Sequence, residues 1–225
     1  MPIMSLTSSR DVFAAVENLP SGAGLVVYDF AWKDYEQLLQ IIGDRRNLRV
    51  SYDCGKLEIV SPSPKHDLYS RAPDLFVAAF CDVRNLVFQL FGSATWKSEA
   101  LNKGIEPDAC YYVKNAHDII GRTEISLASD PPPDIAVEID LTNSSLRKLS
   151  IYAALSVPEV WRYDGRAFTF YSLKLGEYTE VRESRQLPGL TGAMLLEAIE
   201  DSQARGPIAA VKAFRRRIRS KKPRR

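Results

Sequence analysis

The chain has 225 residues, 45% apolar and 26% charged, with a formal net charge of +2. That length suits one sizeable core and is short for two full domains, and the composition is that of an ordinary globular protein. No apolar run approaches the roughly 18 residues of a membrane span, and the first residues lack the basic-then-apolar pattern of a signal peptide. Three scattered cysteines, Cys54, Cys81 and Cys110, form no C-x-x-C pair, which argues against a zinc ribbon or disulfide framework and for a reducing cytoplasm.

In chain order, residues 10–18 suit a short helix, broken at Gly22-Ala23-Gly24, and Leu25 to Tyr28 suit a strand. Trp32, Tyr35, Leu38, Leu39 and Ile42 recur at helical spacing up to Gly43. Arg49, Ser51 and Asp53 alternate with Leu48, Val50 and Tyr52, so a strand is expected, with a turn at Cys54-Gly55 and a return strand over Lys56 to Val60. After the Ser61-Pro62-Ser63-Pro64 corner, His66 opens a long helix that Pro73 would kink or restart. Two strands are expected at Leu86–Phe91 and Ala94–Ser98, and a polar connection with a helical turn at Asn115–Ser129. A loop over Leu141–Ser145 ends in N-cap residues, and a helix over Leu146–Leu155 packs through Leu149, Tyr152 and Ala153. Glu159–Tyr163, Phe168–Leu173 and Tyr178–Arg182 form a meander turning at Asp164-Gly165 and Gly176-Glu177. Leu190–Ile199 is a final amphipathic helix. The predicted fold is mixed α/β, one central sheet flanked by helices.

Charge is unevenly spread. Ser202 to Arg225 holds ten basic residues and no acid, leaving 20 basic and 28 acidic residues elsewhere, a net of −8. Such a segment is either an arm that holds nucleic-acid phosphates or a solubilising end. The division expected is an N-terminal extension over 1–45, a core over 46–200 and a basic arm over 201–225.

Two stretches carry candidate chemistry. In Asp134-Ile135-Ala136-Val137-Glu138-Ile139-Asp140 the acids share one strand face with Ala136, and the β-branched residues share the other. Such a face is either exposed or binds something, because an ionised carboxylate is rarely buried unpaired. Glu106-Pro107-Asp108 also leads into a short apolar strand, Ala109 to Val113. On neighbouring strands, Asp108 and Glu138 could bridge one hard cation, Mg²⁺ or Mn²⁺.

These stretches, with Gly55-Lys56-Leu57-Glu58-Ile59-Val60-Ser61-Pro62-Ser63-Pro64-Lys65-His66, Ile151-Tyr152-Ala153-Ala154-Leu155 and Val157-Pro158-Glu159-Val160-Trp161-Arg162-Tyr163-Asp164-Gly165, resemble the Uma-type restriction endonuclease family of the PD-(D/E)XK nuclease superfamily, over about Asn47 to Leu190. The resemblance implies a restriction-endonuclease-like fold and metal-dependent hydrolysis of DNA. It implies metal ligation by Asp108, Glu138 and the Ile139 carbonyl. Where the superfamily pattern has a lysine two residues after the acid, this chain has Asp140, a third carboxylate that adds a ligand but no cation. The family's relocated lysine corresponds to Lys148, in the frame Lys148-Leu149-Ser150-Ile151-Tyr152, with Arg147 adjacent as an alternative. Glu58 corresponds to the acid before the Ser-Pro corner; it either completes a second metal position or is a strand-edge carboxylate. His66 either contacts phosphate, orients Glu58 or caps the helix.

Hydrolase-triad, P-loop and histidine-rich zinc sites find no motif here: G-x-S-x-G, G-x-x-x-x-G-K-[ST] and H-E-x-x-H are absent and there are two histidines in all. Two functional expectations follow. One is a Mg²⁺- or Mn²⁺-dependent endodeoxyribonuclease with catalytic Asp108, Glu138, Lys148 and Glu58 and metal ligands Asp108, Glu138, Ile139 and Asp140. The other is a nuclease-fold protein that binds nucleic acid or assembles without cleaving. Homo-oligomerisation through the meander edge is compatible with either.

Overall fold

The computed structural model describes residues 8–17, 19–43, 48–141 and 145–220. The expected loop at 142–144 and the end of the basic segment at 221–225 lie outside the described residues, as does Asn47 where the family resemblance begins. Chain order runs α1 (Ser9–Val16), β1 (Gly24–Val27), α2 (Trp32–Ile42), β2 (Arg49–Asp53), β3 (Lys56–Val60), α3 (Pro64–Arg84), β4 (Gln89–Leu90), β5 (Trp96–Ser98), β6 (Lys103–Ile105) and β7 (Ala109–Tyr112). It continues with α4 (Ala116–Ile119), β8 (Ile135–Ile139), a 3-10 turn (Ser145–Lys148), α5 (Leu149–Ala154), β9 (Glu159–Tyr163), β10 (Phe168–Lys174), β11 (Glu177–Val181), α6 (Gly192–Arg205) and α7 (Pro207–Ser220).

The α/β class holds, but the strands divide into two sheets where one was expected. The first sheet has the order β1-β3-β2-β6-β5 and the second β11-β10-β9-β8-β7-β4. All pairings are antiparallel except β8 with β9, which are parallel and joined through α5. A parallel pair needs a crossover, and the helix after the hub strand supplies it.

Alternation along β8 decides what each face does. Ile135, Val137 and Ile139 point into a core built with α3, α6 and α7, while Ala136 belongs to a second core with Tyr112, Tyr152, Val160, Trp96 and Ile105. Trp96 and Ile105 lie on β5 and β6 of the first sheet, so the two sheets meet on the acid-bearing face of β8. A third core lies between the first sheet and α1 and α2, where Leu57 and Ile59 of β3 meet Tyr35 and Leu38. Burying each such side chain contributes roughly 1.5–3 kcal/mol. Glu58 and Val60 therefore face away from α2, as do Arg49, Ser51 and Asp53 of β2.

Several expectations are refined. Strand β6 was not anticipated, because Gly104 and Lys103 disguise it. The glycine is needed there: a Cβ at Gly104 would lie 2.1 Å from the Tyr35 hydroxyl oxygen. Helix α3 runs through Pro73 without ending, starting at Pro64 with Ser63 as N-cap. The β10–β11 turn is Leu175-Gly176, one residue earlier than expected, with Lys174 paired to Glu177 and both turn residues at positive φ (52° and 84°). Helix α5 begins only after a 3-10 turn, and its packing residues are Ile151, Tyr152 and Leu155, with Leu149 partly buried. The basic segment is helical over Pro207–Ser220. Ala210, Phe214 and Ile218, at fourfold spacing, are buried against the α3–α6 core, and Phe214 meets Phe76 edge to face. No helix among the described residues is long and apolar enough to cross a membrane, and all three cysteines are free.

Candidate metal centre

Strands β7 and β8 pair with Ala109 opposite Val137. That register puts Asp108, just before β7, beside the end of β8, where Glu138 sits. The Asp108 N–H donates to the Val137 carbonyl at 3.0 Å, and the Asp108 carboxylate accepts the Ile139 N–H at 2.8 Å. In a strand, one residue's N–H and C=O point to the same side, so the Ile139 carbonyl is directed toward the Asp108 strand as well. The sequence expectation that the two acids converge agrees with this geometry.

Three carboxylates, three cations and a histidine meet at this end of the sheet. Asp108 Oδ1 accepts from Arg49 Nε at 3.1 Å, and His66 Nε2 lies 3.0 Å from Asp108 Oδ2. Glu138 is held by Lys148 Nζ at 3.2 Å and by the Tyr152 hydroxyl, which donates to its other oxygen. Asp140 pairs with Arg162 and accepts both the N–H (2.8 Å) and the hydroxyl (3.0 Å) of Ser145. Asp140 thus anchors the start of the 3-10 turn that carries Lys148 back over Glu138.

Burial sets the protonation balance. It pushes Glu138 up to about 7, with the Asp108 and Asp140 charges adding to the effect and Lys148 opposing it. Asp108 is buried too, but the His66 hydrogen bond and charge, Arg49 and the Ile139 N–H outweigh burial and hold it below the usual carboxylate value. Burial alone would lower Lys148; the Glu138, Asp108 and Glu58 charges reverse this and hold it above the ordinary lysine value.

Arg49, Val60, Pro62, Ser63, His66, Asp108, Glu138, Ile139, Asp140, Ser145 and Lys148 line a cavity of about 30 Å³ between the two sheets. At ~10–15 Å³ per water this holds about two or three waters or a bare ion, and nothing as large as a nucleotide. A scissile phosphate would have to lie across its mouth. A larger groove of about 450 Å³ between α6 and α7 shares no residue with it.

Glu58 stands apart. It lies on β3 opposite Ser51 and is not among the cavity residues, although Lys148 feels its charge. Arg49, Tyr152, Arg162 and Ser145 were not expected in the site. The alternation of β2 put Arg49 on the face shared with Ser51 and Asp53, and the Lys148-x-x-x-Tyr152 frame spans one helical turn, so both had a signal. The Arg162 signal is fainter: it depends on the parallel register that sets it opposite Glu138. Asp134, the first acid of the hub stretch, has a structural duty, accepting the N–H groups of Val113 (2.7 Å) and Asn115 (3.0 Å).

The donor set is hard oxygen: two carboxylates and a backbone carbonyl. Among the described residues no three His, Cys, Asp or Glu side chains converge into a ready cage. That composition fits an open Mg²⁺-type site, which takes one or two carboxylates and leaves the rest of the shell to water and substrate phosphate. It does not fit a closed structural zinc site.

A mixed α/β fold with carboxylates at the ends of adjacent central strands and helices on the outer face defines the restriction-endonuclease-like class. Residues 32–205 match the model of the Uma2 family, described as "Putative restriction endonuclease", and the chain belongs to that family. A crystal structure described as a putative nuclease belonging to DUF820, from Anabaena variabilis, is similar at 17% identity with a TM-score of 0.43, covering 63% of this chain and 85% of that one. No curated protein matches the chain.

Proposed function

We propose that this chain is a Mg²⁺- or Mn²⁺-dependent endonuclease that hydrolyses DNA phosphodiester bonds. The observation that carries this reading is the convergence of Asp108, Glu138 and Lys148 on one small cavity that opens between the sheets. Asp108, Glu138 and the Ile139 carbonyl would hold the ion, with Asp140 close by on the same strand face. When bound, such an ion polarises a phosphoryl oxygen and lowers the pKa of an attacking water.

The chain's own groups have separable tasks. Lys148 supplies the cation that Asp140 cannot, orienting the attacking water or stabilising charge on the phosphate in the transition state. Tyr152 fixes the Glu138 carboxylate, and Asp140 with Arg162 and Ser145 fixes the turn that delivers Lys148. Glu58, outside the cavity, acts on the site through its charge. Helix α7 carries Lys212, Arg216 and Arg219, exposed at positions 0, +4 and +7, as sequence-independent contacts to DNA phosphates.

The test is plasmid nicking in Mg²⁺ and in Mn²⁺ by wild type and Glu138→Ala prepared identically. Loss of nicking in the variant alone supports the reading; equal nicking by both refutes the assignment. A second reading, a nuclease-fold protein that binds nucleic acid without cutting it, is favoured by one observation: each site carboxylate already has a resident cation. Absence of nicking by both proteins, with DNA binding retained, would select it.

A further inference from the structure

Each site carboxylate meets a cation: Asp108 meets Arg49, with His66 on its other oxygen, Glu138 meets Lys148 and Asp140 meets Arg162. With all three carboxylates ionised, they and the Arg49, Lys148 and Arg162 cations sum to zero before any divalent ion enters. Adding such an ion leaves a surplus of two positive charges in a buried setting, where uncompensated charge is costly. His66 beside Asp108 adds no negative charge to offset it, and Glu58 and Glu106 lie outside the cavity lining. A phosphodiester brings one negative charge to the mouth.

Arg49 differs from the other two cations in where it comes from. Lys148 and Arg162 belong to the segments that follow β8 and pair with it, whereas Arg49 crosses from β2 of the other sheet. Its guanidinium Nε takes the Asp108 oxygen that the Ile139 N–H and His66 leave. The two-carboxylate donor set offers little to hold an ion without a further anionic ligand.

We propose that Arg49 is a gating cation: it competes with the divalent ion for Asp108, so that metal and DNA phosphate bind as a coupled pair and neither binds well alone. This rests on the metal-dependent nuclease reading above. Coupling of this kind is reciprocal, so the ion raises DNA affinity by the factor by which DNA raises ion affinity.

Two measurements test it. The first is Mn²⁺ binding without DNA, by electron paramagnetic resonance of the free ion, for wild type, Arg49→Gln, Arg49→Lys and Glu138→Gln, each checked for folding by thermal melting. Arg49→Gln should bind Mn²⁺ at least about tenfold more tightly than wild type, because close charge pairs couple by at least ~1.5 kcal/mol. Arg49→Lys, which keeps the charge, should stay near wild type. The second is fluorescence anisotropy of a phosphorothioate duplex at fixed ionic strength. Mn²⁺ should tighten duplex binding by wild type well beyond the change seen with Glu138→Gln, and this excess should shrink in Arg49→Gln. Equal Mn²⁺ affinity in wild type and Arg49→Gln, with binding lost in Glu138→Gln, would overturn the gate and leave the metal centre standing. Mn²⁺ binding unchanged by Glu138→Gln would overturn both.

Discussion

Two glutamates on neighbouring parallel strands show how one residue type serves opposite ends. Glu138 near the end of β8 and Glu159 at the start of β9 are 3% and 0% exposed, and burial raises the pKa of each. Their partners differ. Glu159 is held by the backbone N–H groups of Arg185 (2.6 Å) and Gln186 (3.3 Å) and by the Trp161 indole N–H, which tie the 184–187 loop to the sheet. Glu138 is held by side chains, Lys148 and Tyr152, at the wall of a cavity. Backbone donors cannot leave without unmaking the loop; a lysine can turn aside for a metal ion. Burial marks both residues as unusual, and under the proposed function the kind of partner separates an exchangeable metal ligand from a structural strut.

Removing each glutamate in turn separates the two roles most forcefully. Glu138→Gln should cut metal-dependent nicking at least about a thousandfold, roughly 4 kcal/mol of barrier, while thermal melting shifts by only a few degrees. Glu159→Ala should do the reverse in stability: it strands two backbone N–H groups and an indole N–H, at about 1–3 kcal/mol for each unsatisfied group, read by urea denaturation. A large stability loss in Glu138→Gln would make Glu138 another strut.

Proton competition sharpens the same contrast. Glu138 must be ionised to ligate a metal, and its pKa is raised from the ordinary range to about 7. The protonated form therefore dominates below that value, and Mn²⁺ affinity should fall toward tenfold per pH unit as pH drops below about 7 and level off above it. Asp108, held below the ordinary value, stays ionised throughout this window. A titration of Mn²⁺ affinity between pH 5.5 and 8.5 checks both statements.

The smallest effect concerns neither glutamate. Lys212, Arg216 and Arg219 on the exposed face of α7 should contribute to DNA binding alone. Replacing all three by Gln should lower duplex affinity about tenfold at moderate salt and reduce the slope of log affinity against log salt by about 1 to 3. Nicking at saturating DNA should be unaffected.

Much of this arrangement was legible in the residues. Ile135, Val137 and Ile139 alternate with the acids, and that alternation alone predicts β8 and its two faces. The Pro-Asp stretch before β7 placed Asp108, because a proline followed by a short apolar run marks the start of a strand. The alternation of β2 set the face of Arg49, but its place beside Asp108 depends on the first sheet folding over the second, a long-range contact that no local period reports. Strand β6 escaped because Gly104 was chosen for the Tyr35 ring above it rather than for strand propensity. The basic segment showed its charge plainly, while the fourfold spacing of Ala210, Phe214 and Ile218 that docks it as a helix was overshadowed by that charge. Helix α7 also lies beyond residues 32–205, which match the family.

The decisive measurement is the number of Mn²⁺ ions bound per chain at pH 8, in the presence of a saturating phosphorothioate duplex, for wild type, Glu138→Gln and Glu159→Gln. Wild type and Glu159→Gln should each bind one ion, and Glu138→Gln none over the same concentration range. Binding by Glu138→Gln equal to wild type would place the metal elsewhere and contradict the proposed centre.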